Sequence, residues 1–148
     1  MPNRHLHRPN HILLPGGALF GALLVLFGLC QDTPAGILRG MGVILTTEDV
    51  LITDYIAIAG MGAAFVNAGL VTLISVLLIK LVKDPVNGAT LVTLGLMAGF
   101  SLFGKNILNI WPIILGTGLY ALLKGETFAH HVNLALRATA LSPVVSFM

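Results

Sequence analysis

The stretch Phe100-Ser-Leu-Phe-Gly-Lys-Asn-Ile-Leu-Asn-Ile-Trp-Pro112 joins two long apolar runs and decides how the chain is interpreted. It carries one charge, two amides, a glycine and a Trp-Pro pair. If its neighbours cross a bilayer, its polar groups lie at or near the hydrocarbon. Non-helical backbone at that depth is tolerated only where it is buried in protein or lines a wet cavity. Polar groups inside a membrane are therefore functional candidates by default.

The composition of the whole chain indicates a membrane protein. Of its 148 residues, 56% are apolar and only 9% are charged, and the mean hydropathy is +0.94. A soluble domain carries about 25% charged residues, and so little polar surface would not cover a water-soluble globule. The lysines and arginines form no cluster of the kind that a nucleic-acid binder presents. The single cysteine, Cys30, excludes an intrachain disulfide and a cysteine-based zinc site. We therefore expect no nucleic acid, no metal and no cofactor.

Uncharged runs of about the length of a bilayer span follow one another along the chain. A transmembrane helix needs about 20 apolar residues, and a fifth apolar run is interrupted by Arg137 and by Ser142-Pro143. The pattern predicts an all-α, polytopic transmembrane bundle of about five membrane segments over residues 12–148, after a polar tail at 1–11. The runs are 12–30, 56–79, 86–104, 107–123 and the interrupted 132–148.

The mixed stretch 31–55 separates the first two runs. Thr46-Thr47-Glu48-Asp49 is typical of a helix start, with Thr46 as N-cap and Asp49 at the N3 position. A short interfacial helix is one interpretation of this stretch, and a loop with one capped turn is the other. The residues that would share the apolar face of such a helix are Leu38, Met41, Ile44 and Leu45.

Two architectures are open for the stretch around Lys105. In the first, the third and fourth spans form a tight hairpin that Lys105 caps. In the second, residues 99–112 dip into the membrane as a broken segment. Pro112 is compatible with both, because its missing N–H interrupts a helix and its fixed φ suits a helix start.

Polar residues within or beside the apolar runs are the candidates for a substrate path. Asn67 lies inside the run 56–79, where it binds either a neighbouring helix or a solute. Lys105 would attract an anion or form a gate, and the amides would replace a solute's water. Asn106 and Asn109 are three residues apart, so on a helix they share a face. The full set of candidates is Asn67, Ser101, Lys105, Asn106 and Asn109.

The distribution of basic residues predicts the orientation. Under the positive-inside rule the side with more lysine and arginine is cytoplasmic, which predicts a cytoplasmic N-terminus in a multi-pass protein of the inner (plasma) membrane. Arg137 lies within a span, where it pairs with a carboxylate such as Asp54 or snorkels toward water. With five spans, one side holds Arg4, Arg8, Lys80, Lys83 and Lys124, and the other holds Arg39 and Lys105.

Four strings in a fixed order carry a resemblance to a known family. They are Leu51-Ile-Thr-Asp-Tyr55, Gly62-Ala-Ala-Phe-Val-Asn-Ala-Gly-Leu70, Gly99-Phe-Ser-Leu-Phe-Gly-Lys-Asn106 and Asn109-Ile-Trp-Pro112. Together they resemble the bacterial membrane family named domain of unknown function 1576, over Gln31 to Val145. Members of that family look considerably longer, so the chain resembles their N-terminal portion. The resemblance implies a membrane protein but no substrate and no binding residue.

Three functions are compatible with these features. The first is a channel or transporter for a small solute, and the second is a non-transporting scaffold or subunit whose polar residues only hold helices together. The third is an intramembrane enzyme, against which H-E-x-x-H and G-x-S-x-G are absent from the sequence; we expect no enzyme. The expected partners are the lipid bilayer and a second copy or the second half of a longer protein. With an odd number of spans that half would be inverted, as in many secondary transporters.

Overall fold

The computed structural model describes residues 12–48 and 52–141, and within these ranges the chain is helical with no strand. The all-α prediction is therefore confirmed for the described residues. The polar tail at 1–11, Asp49 and the chain from Ser142 onward lie outside them. The helices are α1 (Leu13–Gln31), α2 (Pro34–Thr46), α3 (Tyr55–Leu81), α4 (Gly88–Phe100), α5 (Trp111–Lys124) and α6 (Val132–Ala138).

Two of the described helices, α1 and α3, are long and apolar enough to cross a membrane, each with a mean hydropathy of 2.2. They lie where the first two uncharged runs predicted spans. The apolar helices α4, α5 and α6 are shorter than a span. The prediction of five membrane segments accordingly stays a prediction, with two helices compatible with insertion.

Helix α2 begins earlier than the sequence pattern predicted. Thr33 caps it, accepting a hydrogen bond from the Gly36 N–H at 3.1 Å, and Pro34 follows as the first helical residue. The predicted helix start at Thr46 is wrong, because Thr46 is the last residue of α2 and donates its hydroxyl to the Gly42 carbonyl. Thr47 binds the Val43 carbonyl in the same way.

The apolar face expected of an interfacial helix stays a prediction. Within the protein, α2 buries Ile44 and leaves Leu38 74% exposed. Gly40 is the reason, since it lies against Ala59 and Ala63 of α3, where a side chain would not fit. Close backbone contact at Gly40 turns Ile37, Gly40 and Ile44 toward α3.

Helices α1 and α3 pack antiparallel at glycines. A Cβ at Gly28 would lie 2.6 Å from the Gly62 carbonyl oxygen, and a Cβ at Gly69 would lie 2.7 Å from that of Gly21. The glycines in each helix are seven residues apart, which is about two turns and returns them to the same face. Gly62 and Gly69 of α3 therefore form part of its interface with α1.

A kink at Gly60 separates the first turn of α3 from the rest. Its φ of 84° and ψ of 159° lie outside the helical region, in a conformation that glycine adopts at little cost. Residues 61–81 form the continuous part, about 30 Å long. The first turn is thereby free to take a different direction.

The first residue of α4 and the last residue of α5 lie at the same end of the bundle. Asp84, just before α4, accepts a hydrogen bond from Asn133 in α6. His131, at the start of α6, lies edge-on to Tyr120 in the last turns of α5, with ring centroids 5.8 Å apart. Residues 101–110 join the two helices away from that end and form turns rather than helix. We call this link the broken segment.

The broken segment decides between the two architectures proposed for this stretch. The tight hairpin capped by Lys105 is wrong, because the link is long and Lys105 is only 1% exposed. The alternative of a helix broken within 99–112 agrees with the backbone that the structure shows. Ile110 of the broken segment belongs to a buried apolar cluster with Val71 of α3, Met97 of α4, Ile114 of α5 and Leu136 of α6.

Candidate functional site

The broken segment and the facing part of α3 bring all five candidate residues together. Four of the five lie on the segment itself, and Asn67 faces it from α3. Their exposed fractions are 0% for Asn67, 0% for Ser101, 1% for Lys105, 3% for Asn106 and 9% for Asn109. So many buried polar groups require specific partners, because an unpaired buried polar group costs about 1–3 kcal/mol.

Asn67 fastens the segment to α3. Its Nδ2 donates to the carbonyl oxygens of Ser101 at 2.8 Å and Lys105 at 2.9 Å. Of the two roles predicted for Asn67, binding to the protein is present, although its partner is the broken segment and not a helix. Its Oδ1 is buried and accepts no hydrogen bond from the described residues. That oxygen is a place where a water or a solute N–H would bind.

Asn106 and Asn109 close a turn on each other. The Asn106 Oδ1 accepts from the N–H groups of Leu108 and Asn109, both at 2.9 Å. The Asn109 Oδ1 accepts from the Asn106 N–H at 2.9 Å, and its Nδ2 donates to the Gly104 carbonyl at 2.8 Å. This reciprocal pattern is that of a capping box. The predicted shared helical face is wrong, because asparagine side chains compete for nearby backbone groups and stabilise the turn instead.

Tyr55 is the residue of this region that sequence reasoning missed. It is fully buried, and its hydroxyl accepts from the Asn106 Nδ2 at 3.1 Å. Its N–H donates to the Leu102 carbonyl at 3.1 Å, and Asp54 pairs with Phe103 in an isolated antiparallel bridge. The turn of α3 before the Gly60 kink thus binds the broken segment at Leu102, Phe103 and Asn106. Its sequence signal is its place at the end of the string 51–55, one of the four strings that carry the family resemblance.

The Ser101 hydroxyl is bound to the backbone at the end of α4. The Ser101 Oγ donates to the Met97 carbonyl at 2.6 Å, one turn earlier in the chain. Serine bonds of this kind tie the side chain to its own helix. Ser101 therefore offers its backbone carbonyl to Asn67 while its hydroxyl is engaged locally.

Lys105 is the one candidate whose functional group is not bound to backbone. Its Nζ lies 3.2 Å from the Met97 Sδ and 5.5 Å from the centre of the Phe100 ring. A thioether is a weak acceptor, whereas an ammonium has three donors. Within 12–48 and 52–141 the one ion pair is His131–Glu126, at 2.6 Å, so no described carboxylate neutralises Lys105. The Lys105 residue is 1% exposed, and the contacts of its Nζ are to Met97 and Phe100 of α4.

Arg137 does not pair with Asp54. Its Nε donates to the Thr93 Oγ1 at 2.9 Å and its Nη2 to the Ala89 carbonyl at 3.1 Å, both on α4. Asp54 instead caps α3, accepting from the N–H groups of Ile56 and Ala57. The arginine therefore fastens α6 to the first turns of α4.

An open groove lies beside the lysine on the outer face of α4. It has a volume of about 240 Å³ and an almost wholly apolar lining. Gly95 and Gly99 form its floor, since a Cβ at either position would meet nothing within 4 Å. Phe100 contacts both features, because it lines the groove and its ring faces the Lys105 ammonium. The lining residues are Gly95, Leu96, Gly99, Phe100 and Phe103.

Over residues 12–48 and 52–141, the fold is all-helical, with two membrane-length helices and a buried broken segment between two shorter ones. The model of the family described as "Protein of unknown function (DUF1576)" matches residues 33–148. The chain therefore belongs to this family, as the ordered strings predicted. No curated protein and no solved structure matches the chain.

Proposed function

We propose that this protein is a multi-pass protein of the inner (plasma) membrane, with a cytoplasmic N-terminus, that passes a small solute across the bilayer. The observation that supports this most is the buried, polar, non-helical segment at 101–110. Such backbone is expensive in an apolar environment unless it is enclosed by protein or lines a cavity. In a chain of this apolar composition, a buried polar segment of this kind is therefore best explained by a function.

The depth of the broken segment supports the same proposal. Gly28 lies against Gly62 and Val66, and Gly21 lies against Gly69, so Asn67 is level with about Val25. Val25 is about one turn from the midpoint of α1. If α1 spans the bilayer, the carbonyl groups that Asn67 holds lie within about 5 Å of its centre. Many transporters bind substrates and ions at broken helices at this depth.

In this proposal the five membrane segments are α1, α3, α4, α5 and the run that begins with α6. Helices α1 and α3 cross completely, whereas α4 and α5 enter and return with the broken segment between them. The partners are the surrounding lipid and a second copy of the chain or the second half of a longer protein. We propose neither an enzymatic activity nor a nucleic-acid partner for it.

A second candidate, a non-transporting scaffold or subunit, is favoured by a separate observation. The side chains of Asn67, Asn106 and Asn109 all bind backbone groups of the broken segment. A purely structural role would need those bonds and nothing more. The two candidates differ at Lys105, since a scaffold gains nothing from an ammonium without a carboxylate.

Solute permeation in liposomes tests the proposal. Purified protein is reconstituted, and osmotic swelling is followed by light scattering with a panel of short carboxylates, polyols and amino acids. We expect at least one solute to enter faster than into empty liposomes, and Lys105→Met to reduce that rate. Lys80→Met, an exposed lysine at the end of α3, is the matched control. Correctly inserted, folded protein that passes no solute would favour the scaffold.

A further inference from the structure

The buried Lys105 ammonium and the α4 groove share one neighbour, Phe100. Phe100 presents its ring to the Nζ at 5.5 Å and also lines the groove. Its side chain is 40% exposed, and partly exposed side chains change rotamer within nanoseconds. Rotation of this ring would connect the groove with the ammonium.

The ammonium has the chemistry of an anion site. Of its three N–H donors, the described residues engage one, with the Met97 sulfur at 3.2 Å. Carboxylate oxygens are the strong acceptors for an ammonium. The described residues place a single cation here, so the charge suits a monoanion better than a dianion.

The groove defines the rest of the ligand. Its apolar lining excludes a second charged group, and its volume of about 240 Å³ is below the roughly 300–1,000 Å³ of a drug-sized pocket. We propose that Lys105 and the α4 groove bind a short-chain monocarboxylate, with the carboxylate on the Lys105 ammonium and the alkyl chain against Gly95 and Gly99. This inference rests on the proposed function and names the solute class for it.

Direct binding tests the inference without measuring transport. Radiolabelled butyrate is added to the full chain in detergent, and bound label is measured by scintillation proximity. We expect saturable binding that unlabelled butyrate displaces well, acetate displaces less well and chloride does not displace. Lys105→Met should weaken butyrate binding at least about tenfold, which is about 1.4 kcal/mol. Lys80→Met should leave it unchanged.

A variant that fills the groove tests whether loss of butyrate binding in Lys105→Met comes from the site or from misfolding. Gly99→Leu places its side chain where a Cβ meets nothing within 4 Å, so it should fold normally, weaken butyrate binding and affect acetate less. Gly16→Leu, equally uncrowded but on α1, is its control. Equal binding by wild type and Lys105→Met, or no binding by wild type, overturns the inference. Displacement by chloride as strong as by butyrate would indicate an inorganic-anion site and also overturn it.

The two proposals fail in different ways. Absence of butyrate binding while another solute passes through liposomes removes this inference and leaves transport standing. Butyrate binding that requires Lys105, without permeation of any solute, retains the site and removes transport.

Discussion

Asn67 shows how one side chain maintains a break in a helical fold. A backbone that leaves the helix loses its regular hydrogen-bond partners, and buried carbonyl groups then need other donors. The amide nitrogen of Asn67 supplies two such bonds, to Ser101 and Lys105, four residues apart on the broken segment. A hydroxyl has one donor and a carboxylate has none, so an amide is the neutral group suited to this place.

Replacing Asn67 by leucine should loosen the broken segment. Hydrogen bonds between membrane segments average about 0.6 kcal/mol, so the loss of two predicts a destabilisation of about 1 kcal/mol. Thermal unfolding in detergent measures it. Thr72→Val is the control, because the Thr72 hydroxyl binds the Ala68 carbonyl within its own helix. Equal losses in the two variants would contradict the role given to Asn67.

Asp84 lies in the loop before α4, where its carboxylate is partly withdrawn from water. Burial raises the pKa of this carboxyl above its usual value, although the hydrogen bond from Asn133 and the charge of His130 act to lower it. A raised pKa means that the folded protein disfavours the ionised form. This contribution therefore destabilises the fold above the folded-state pKa and disappears as the pH falls toward the ordinary pKa of aspartate.

Asp84→Asn should consequently be more stable than the wild type at pH 7, with the difference shrinking as the pH is lowered to about 4. The substituted amide still accepts the hydrogen bond from Asn133. Unfolding midpoints across a pH series measure the difference, and Glu48→Gln, at an exposed position, controls for the loss of one negative charge. A difference that widens at low pH would show the assigned cause to be wrong.

At the scale of elements, the pairing of α1 with α3 depends on the absence of side chains at matched positions. A Cβ at Gly28 would meet backbone atoms of Gly62 and Val66, whereas a Cβ at Gly21 would meet the Leu73 side chain and the Gly69 carbonyl oxygen. Backbone cannot move aside as the end of a flexible side chain can. Helices that meet through glycine approach closely and gain dispersion contacts over their length.

Alanine substitutions in α1 separate this packing effect from helix propensity. Gly→Ala in a helix gains about 0.5–1 kcal/mol, whereas overpacking costs about 1–3 kcal/mol. Gly16→Ala, with nothing within 4 Å of its Cβ, should stabilise the protein, and Gly28→Ala, 2.6 Å from the Gly62 carbonyl, should destabilise it. Chemical denaturation of both variants gives the comparison. Stabilisation by both would mean that the helices have room between them.

At the scale of the whole molecule, the antiparallel pairing decides which charges share an end. Helix α1 begins where α3 ends, so Lys80 and the start of α1 lie together, and α2 with Arg39 lies at the opposite end. Lys105, counted with Arg39 in the sequence argument, is buried and belongs to neither surface. The remaining basic residues are therefore distributed still more unequally between the two ends.

Cysteine labelling in a Cys30→Ser background tests the resulting orientation. An impermeant maleimide applied to intact cells should modify Arg39→Cys and should reach Lys80→Cys only after permeabilisation. Arg4→Cys, outside the described residues, is expected to behave like Lys80→Cys because it precedes α1. Equal accessibility of Arg39→Cys and Lys80→Cys would rule out the orientation in the proposal.

The sequence alone determined the helical class, the positions of α1 and α3, and the polar residues that collect at the broken segment. These features depend on the local run of apolar residues and on composition, which a chain carries whatever its tertiary contacts. The same local reasoning placed a helix start at Thr46, because a capping pattern does not show whether a helix precedes or follows it. The helix begins instead at the earlier capping pattern, with Thr33 as N-cap and Pro34 as the first helical residue.

Only the tertiary structure decided what the polar residues bind. Asn67 reaches carbonyl groups 34 and 38 residues away, and Asn106 reaches Tyr55 over 51 residues. Arg137 likewise binds Thr93 and not Asp54. The partner of a polar side chain depends on which elements pack beside it. Spacing along a chain indicates which residues share a helical face. It does not indicate which helix, or which break in a helix, that face will meet.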